Sequence, residues 1–118
     1  MPSSSQYQPN DCYDLTVTIA SGQTTSGEVD LTGCDLCGIF MPAAFTGTTL
    51  KIQAASAPGG TFVTVQDGAG NDYTLTVAAS KYIPISNLAI VSGLRFIKFV
   101  SGSSEAADRA LTLAARPI

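Results

Sequence analysis

Apolar and polar residues alternate through most of this chain. In Leu50-Lys51-Ile52-Gln53-Ala54, and again in Tyr73-Thr74-Leu75-Thr76-Val77, apolar side chains fall on every second position. A period of two sends neighbouring side chains to opposite faces of a sheet, so each run predicts a strand with one buried face. Between them Thr61-Phe62-Val63-Thr64-Val65 is β-branched and aromatic, which suits a pleated surface. Ala57-Pro58-Gly59-Gly60 and Asp67-Gly68-Ala69-Gly70-Asn71 carry the residues of tight reversals. Together they predict a three-stranded meander over Thr48–Ser80.

The flanking sequence repeats the theme. Tyr13–Ile19 reads as a strand with Leu15, Val17 and Ile19 on one face, and Glu28–Leu31 as a short extended piece with Val29 and Leu31 aligned. Leu36–Met41 is nearly all apolar, as a strand buried on both faces would be, and Pro42 ends it. The short run Pro42–Phe45 predicts a turn that plugs Phe45 into the end of the core. Tyr82–Ile85 contains Pro84 and belongs at an edge or a bulge. Ser86–Gly93 has room for a turn of 3₁₀-helix, Leu94–Val100 is a strong strand, Glu105–Asp108 a loop, and Arg109–Arg116 the last strand. The fold class is all-β: a single β-sandwich or jelly-roll-like domain of about eight antiparallel strands, with turn signals every ~8 to 12 residues. It occupies residues 13–118. Residues 1–12 are polar and aperiodic, and read either as a disordered tail or as an arm that orders on a neighbouring subunit.

Composition narrows the class of function. Charged residues make up 13% of the 118, against roughly 25% in an average soluble domain. Ala, Gly, Ser and Thr take their place, a surface suited to lying against other protein. A net charge of −3, with six basic residues dispersed, makes no footprint for nucleic acid. No run approaches the ~18 apolar residues of a membrane span. The opening Met1–Gln6 has neither the basic nor the apolar region of a secretory signal, so the chain is expected to be made and held in a cytoplasm.

Candidate chemistry is sparse. Histidine, the usual proton shuttle and metal ligand, is missing from the sequence. Cys34-Asp35-Leu36-Cys37 has redox or zinc spacing, but it leads into a strand, where the two sulfurs are expected on opposite faces. Cys12 is the only further sulfur ligand among the cysteines, one short of a four-ligand zinc site. The three cysteines therefore read as small buried fillers, with a disulfide from Cys12 to one of the pair only where the protein meets an oxidising environment. Asp67–Asp72 lacks the acidic alternation of a calcium loop and reads as a hairpin tip. No enzymatic activity and no cofactor are expected. In Arg95–Val100, Phe96 is placed inward with Ile97 and Phe99 outward. Either the strand is central and covered on both faces, or Ile97 and Phe99 meet another subunit. Arg95 and Arg109 are expected to pair with acids at the sandwich ends.

Several runs carry a resemblance: Gly38-Ile39-Phe40-Met41-Pro42-Ala43-Ala44-Phe45, Leu50–Ser56, Val77–Ile85, Gly93–Lys98, Ser101-Gly102 and Arg109–Leu113. In this order they resemble a family of small tailed-bacteriophage virion proteins, over Ser26–Ile118. Cys34, Cys37 and the N-terminal arm lie outside the shared pattern. The resemblance implies a jelly-roll-like sandwich in the particle. The expected role is a capsid decoration (cement) protein bridging subunits of the major capsid protein, assembled in the bacterial host cytoplasm as a homo-oligomer, with a trimer as the expected form. The candidate contact residues are Gln6, Tyr7 and Gln8 of the arm with Ile97 and Phe99. The alternatives are a tail or fibre component touching host glycans, with Tyr73 or Tyr82 stacking on a sugar, and a free carbohydrate-binding module.

Overall fold

The strands pair from the outside of the chain inward. A computed structural model describes Cys12 and residues 15–117. Among them nine strands form: β1 (Leu15–Ile19), β2 (Val29–Asp30), β3 (Cys34–Phe40), β4 (Thr49–Ala55), β5 (Val63–Thr64), β6 (Thr74–Thr76), β7 (Tyr82–Pro84), β8 (Phe96–Ser101) and β9 (Arg109–Pro117). One sheet has the order β1-β9-β3-β7, the other β2-β8-β4-β5, with β6 also on β4. All pairings are antiparallel, β1 with β9, β2 with β8, β3 with β7, and β4 with β5 and β6. Such nested pairing, folded into two facing sheets, is the jelly-roll wrapping.

The expected meander is corrected. Strands β5 and β6 both run antiparallel to β4, at Gln53–Ala54 and Thr49–Lys51 respectively. They are one strand interrupted by a small hairpin, closed by a bridge between Gln66 and Asp72. The Asp67 carboxylate fixes its tip by accepting the N–H groups of Ala69 and Asn71 at 2.8 and 3.0 Å, as the sequence predicts for a hairpin tip. Counted this way the domain has eight strands, the expected number.

Alternation decides which residues meet between the sheets. Val17, Ile19, Leu36, Ile39, Leu111 and Leu113 come from the first sheet, and Leu50, Ile52, Ile97 and Phe99 from the second. Each such burial is worth ~1.5–3 kcal/mol relative to exposure. Phe45 is buried in the same cluster, as its turn predicts. Ile97 and Phe99 are fully buried. Their expected outward placement is corrected: the register sets Ile97 opposite Ala54 and Phe99 opposite Ile52, on the inner face, while Phe96 lies on the outer one. Strand β8 is central in its sheet, between β2 and β4, but it is fully covered on the inner face alone: its outward Lys98 and Val100 are only half-buried.

Strand β3 is also not buried on both faces, since Phe40 is 53% exposed. Its register with β9 shifts between Leu36 and Gly38, so Cys37 is an extra, bulged residue. The bulge resets the alternation and turns both Leu36 and Ile39 inward. Pro84, which lacks an N–H, lies on the edge strand β7 as predicted. The segment before β8 forms a single α-turn, α1 (Leu88–Val91), whose Ala89 N–H donates to the Asn87 side chain at 3.2 Å.

Of the two readings of the cysteines, the structure takes the disulfide from Cys12 to one of the pair. Cys12 and Cys34 are joined in a disulfide with Cα atoms 5.8 Å apart, and Cys37 is a free, half-buried thiol. One end of the sandwich is closed by Glu105. Its carboxylate accepts the Thr46 N–H and hydroxyl at 2.9 and 2.8 Å, the Gly47 N–H at 3.0 Å and the Arg109 Nε–H at 3.0 Å. The predicted ion pair of Arg109 is thus present, but on a carboxylate with no exposed surface. Arg95 instead donates to the Thr32 hydroxyl at 3.3 Å and lies over the Phe96 ring.

Candidate interaction face

The two sheets present very different outer surfaces. On the sheet containing β8, outward positions carry charge. Lys51 pairs with Asp72 at 3.0 Å, and Lys98 lies 4.5 Å from the centroid of the Phe62 ring. Asp30 accepts the Thr32 hydroxyl at 2.6 Å and the Thr32 N–H at 2.8 Å. Those bonds, with help from nearby Arg95, hold its carboxyl below the usual range despite some desolvation. These charges stand in water beside the covered ring of Phe96.

The other sheet shows rows of uncharged side chains. Registers align Thr16, Thr112, Phe40 and Tyr82 across all four strands. The adjoining rows hold Thr18 with Ala110, and Ala114 with Gly38 and Pro84. Among the described residues, no charge interrupts these rows. The strands β1 and β9 contribute only small residues there; β3 and β7 contribute the bulk.

That bulk is an aromatic pair. Phe40 and Tyr82 are directly opposed across the strands, with centroids 4.7 Å apart, and both remain exposed, at 53% and 43%. The Tyr82 ring lies down over Gly38: a Cβ built there would overlap its hydroxyl and ring. Glycine is therefore the residue that lets the ring lie flat on the sheet. A Gly38→Ala variant is expected to lift the Tyr82 ring while changing stability by less than about 1 kcal/mol, because the displaced side chain has open solvent to move into. Tyrosine side-chain NMR shifts and denaturant unfolding would check both halves of this expectation; an unmoved Tyr82 would contradict it.

At one end of the face the pattern changes. Asp35 and Arg116 stand opposite each other in the β3–β9 register. Asp35 accepts the Gly93 N–H at 3.4 Å, and neither residue makes an ion pair among the described residues. Between them and α1 lies a notch of about 120 Å³, rimmed by Leu88, Ala89 and Ser92. A second cleft, of about 360 Å³, lies at Ala54–Ser56 and Gly93–Arg95.

The sequence-predicted sites fare unevenly. Gln6, Tyr7 and Gln8 lie outside the described residues. Ile97 and Phe99 belong to the core. Tyr73 packs against that core with its hydroxyl buried and without a well-formed hydrogen bond, and burial raises its pKa. Only Tyr82, of the two tyrosines weighed for sugar stacking, is on the surface. Phe40, Gly38 and the small residues of β1 and β9 escaped the sequence reading. Their signal was the uncharged alternate positions of those strands, which became one surface only when the strand order was known. No group of three potential metal-binding side chains occurs among the described residues, and no helix there is long and apolar enough to cross a membrane. Compared with known proteins, the chain matches no family model, no curated protein and no solved structure.

Proposed function

We propose that this chain is a structural protein of a bacteriophage particle, a capsid decoration protein that reinforces the shell of the major capsid protein, and that the uncharged face is its working protein contact. The observation that carries this reading is the asymmetry of the sandwich. One outer face holds hydrated charges, and the other exposes an aromatic pair among Thr and Ala with no charge in its rows. Uncharged, aromatic-centred surfaces are the kind that protein interfaces cover, because burying them strands no unpaired charge. Jelly rolls recur in virion proteins, which agrees with the resemblance in the sequence, although a fold by itself assigns no task. In a shell, many weak copies of one contact add to a large stabilisation.

The test is copy number in purified particles by quantitative mass spectrometry, followed by rebinding of the purified chain to particles lacking it. Decoration predicts copies comparable with the capsid protein. A Thr112→Lys substitution is expected to weaken rebinding at least about tenfold by burying a charge, whereas Lys51→Ala on the hydrated face leaves it unchanged. No rebinding by the native chain would overturn the proposal. The exposed Tyr82–Phe40 pair favours a second reading, a tail or fibre component that stacks a host sugar on the aromatic rings. That reading predicts a dozen copies or fewer per particle, by symmetry-based estimate, and binding on a glycan array.

A further inference from the structure

The uncharged face has a large half and a small half, and its end row has one anion and one cation. Phe40 and Tyr82 stand on β3 and β7, while β9 and β1 carry Thr112 and Thr16 in the same row. Asp35 is on β3, and Arg116 is opposite it on β9. We propose that this face closes on the same face of a second copy, across a two-fold axis running parallel to the strands between β3 and β9. The inference rests on the reading above that the face is a protein contact, and it names the occupant.

The two-fold operation keeps every row at its own level and exchanges β3 with β9 and β7 with β1. Phe40 and Tyr82 of each copy then lie over Thr112 and Thr16 of the other, large side chains on small. At the end row Asp35 of each copy meets Arg116 of the other, so two ion pairs form where the single copy has none at that row among the described residues. Self-complementarity of this kind, where residue i meets j and j meets i, is what a two-fold interface requires. Charge supports the choice of partner: copies of net charge −3 repel except where the meeting surfaces are uncharged or compensated. Two sheets stack face to face at ~10 Å, a distance that interleaved Phe and Thr side chains fill.

Area sets the strength. Four strands ~4.8 Å apart and four rows deep offer roughly 400 Å² per copy, or about 800 Å² in all. That is below the ~1,200 Å² of a stable dimer, so the free chain associates weakly, with a Kd on the order of 100 μM. Held side by side in an assembly, the same contact becomes effectively intramolecular and closes.

Sedimentation velocity of the full oxidised chain, from ~10 μM to ~1 mM, bracketing the Kd expected for so small an interface, reads the result. A reversible monomer–dimer equilibrium is expected. Asp35→Arg leaves two cations on the row and Arg116→Asp leaves two anions, so each alone is expected to weaken dimerisation about tenfold. Mixing the two variants restores association, since every cation then meets an anion across the axis. Gly38→Ala weakens it by raising the Tyr82 ring. A monomer throughout, a trimer, or variants that do not complement on mixing would overturn the proposal. A monomeric chain whose particle binding is still lost with Thr112→Lys would overturn the second copy as occupant while leaving the contact reading intact. Loss of neither would overturn both.

Discussion

Reduction of the Cys12–Cys34 disulfide is expected to destabilise the domain by about 3 kcal/mol, the loop-entropy value for a bridge spanning 22 residues. The bond joins Cys12, three residues before β1, to the first residue of β3, so it pins the segment leading into β1 to the sheet that carries the uncharged face. Both sulfurs are shielded: Cys34 is fully buried and Cys12 nearly so. For a domain of this size the loss corresponds to a fall in Tm of about 10 °C or more. Cys12→Ser is expected to reproduce the effect of reductant, and Cys37→Ser to leave stability nearly unchanged. Thermal unfolding with and without a phosphine reductant checks this, and coincident curves would refute it. A chain that folds in a reducing interior does so without the bond and gains its stabilisation on reaching an oxidising medium. For a particle assembled inside a cell and released from it, stability would rise after release.

Glu105→Ala is expected to cost about 3–5 kcal/mol, as removal of one partner of a buried pair does. The substitution strands the Arg109 guanidinium, which is only 15% exposed, and frees the Thr46 and Gly47 N–H groups. Glu105→Gln keeps the shape but puts an amide where four donors converge, and is expected to lose a smaller part. The pH dependence follows from the same contacts. Burial pushes the Glu105 carboxyl upward, but the Thr46 N–H, the Arg109 guanidinium, the Thr46 hydroxyl and the Gly47 N–H outweigh it and lower its pKa from 4.5. A carboxylate with a depressed folded-state pKa stabilises fully above its unfolded value, and the contribution is lost as pH falls through the folded one. Stability is thus expected to be flat above about pH 5 and to decline below about 4.5. Asp30 and Asp67, held down by hydrogen bonds from Thr32 and from Asn71 and Ala69, add losses of the same sign below 3.8. Urea unfolding from pH 3 to 7 reads the profile, and in Glu105→Gln the slope should shrink. An unchanged slope in that variant would show that other groups carry the acid sensitivity.

Glu105 also marks where sequence reading stops. In the sequence it is one acidic residue in a Ser/Ala loop, and its partners Thr46 and Gly47 are 59 and 58 residues away. No local pattern announces a contact at that distance. The same holds for Cys12 and Cys34: their pairing depends on β1 and β3 both flanking β9, which brings the two strand starts together. By contrast, the strands of Leu15–Ile19 and Thr49–Ala55, the edge position of Pro84, the plug at Phe45 and the hairpin tip at Asp67 all follow from period, ring geometry and turn chemistry within a few residues. In β3 a local irregularity misled the period: the Cys37 bulge shifts the strand by one residue. In β8 the register is regular, and the misassigned phase came from apolar residues on both faces, Phe96 and Val100 on one and Ile97 and Phe99 on the other.

Sequence by itself therefore determined that this is an all-β sandwich of about eight strands, because alternation with a period of two is written residue by residue and needs no partner. Tertiary structure alone decided the nested strand order, the phase of β3 and β8, the disulfide and the buried carboxylate. It also decided the face, since Thr16, Phe40, Tyr82 and Thr112 become one row only when four strands distant in the chain lie side by side. Which strand lies beside which is settled by how two sheets together bury one core, a property of the whole chain rather than of any stretch of it.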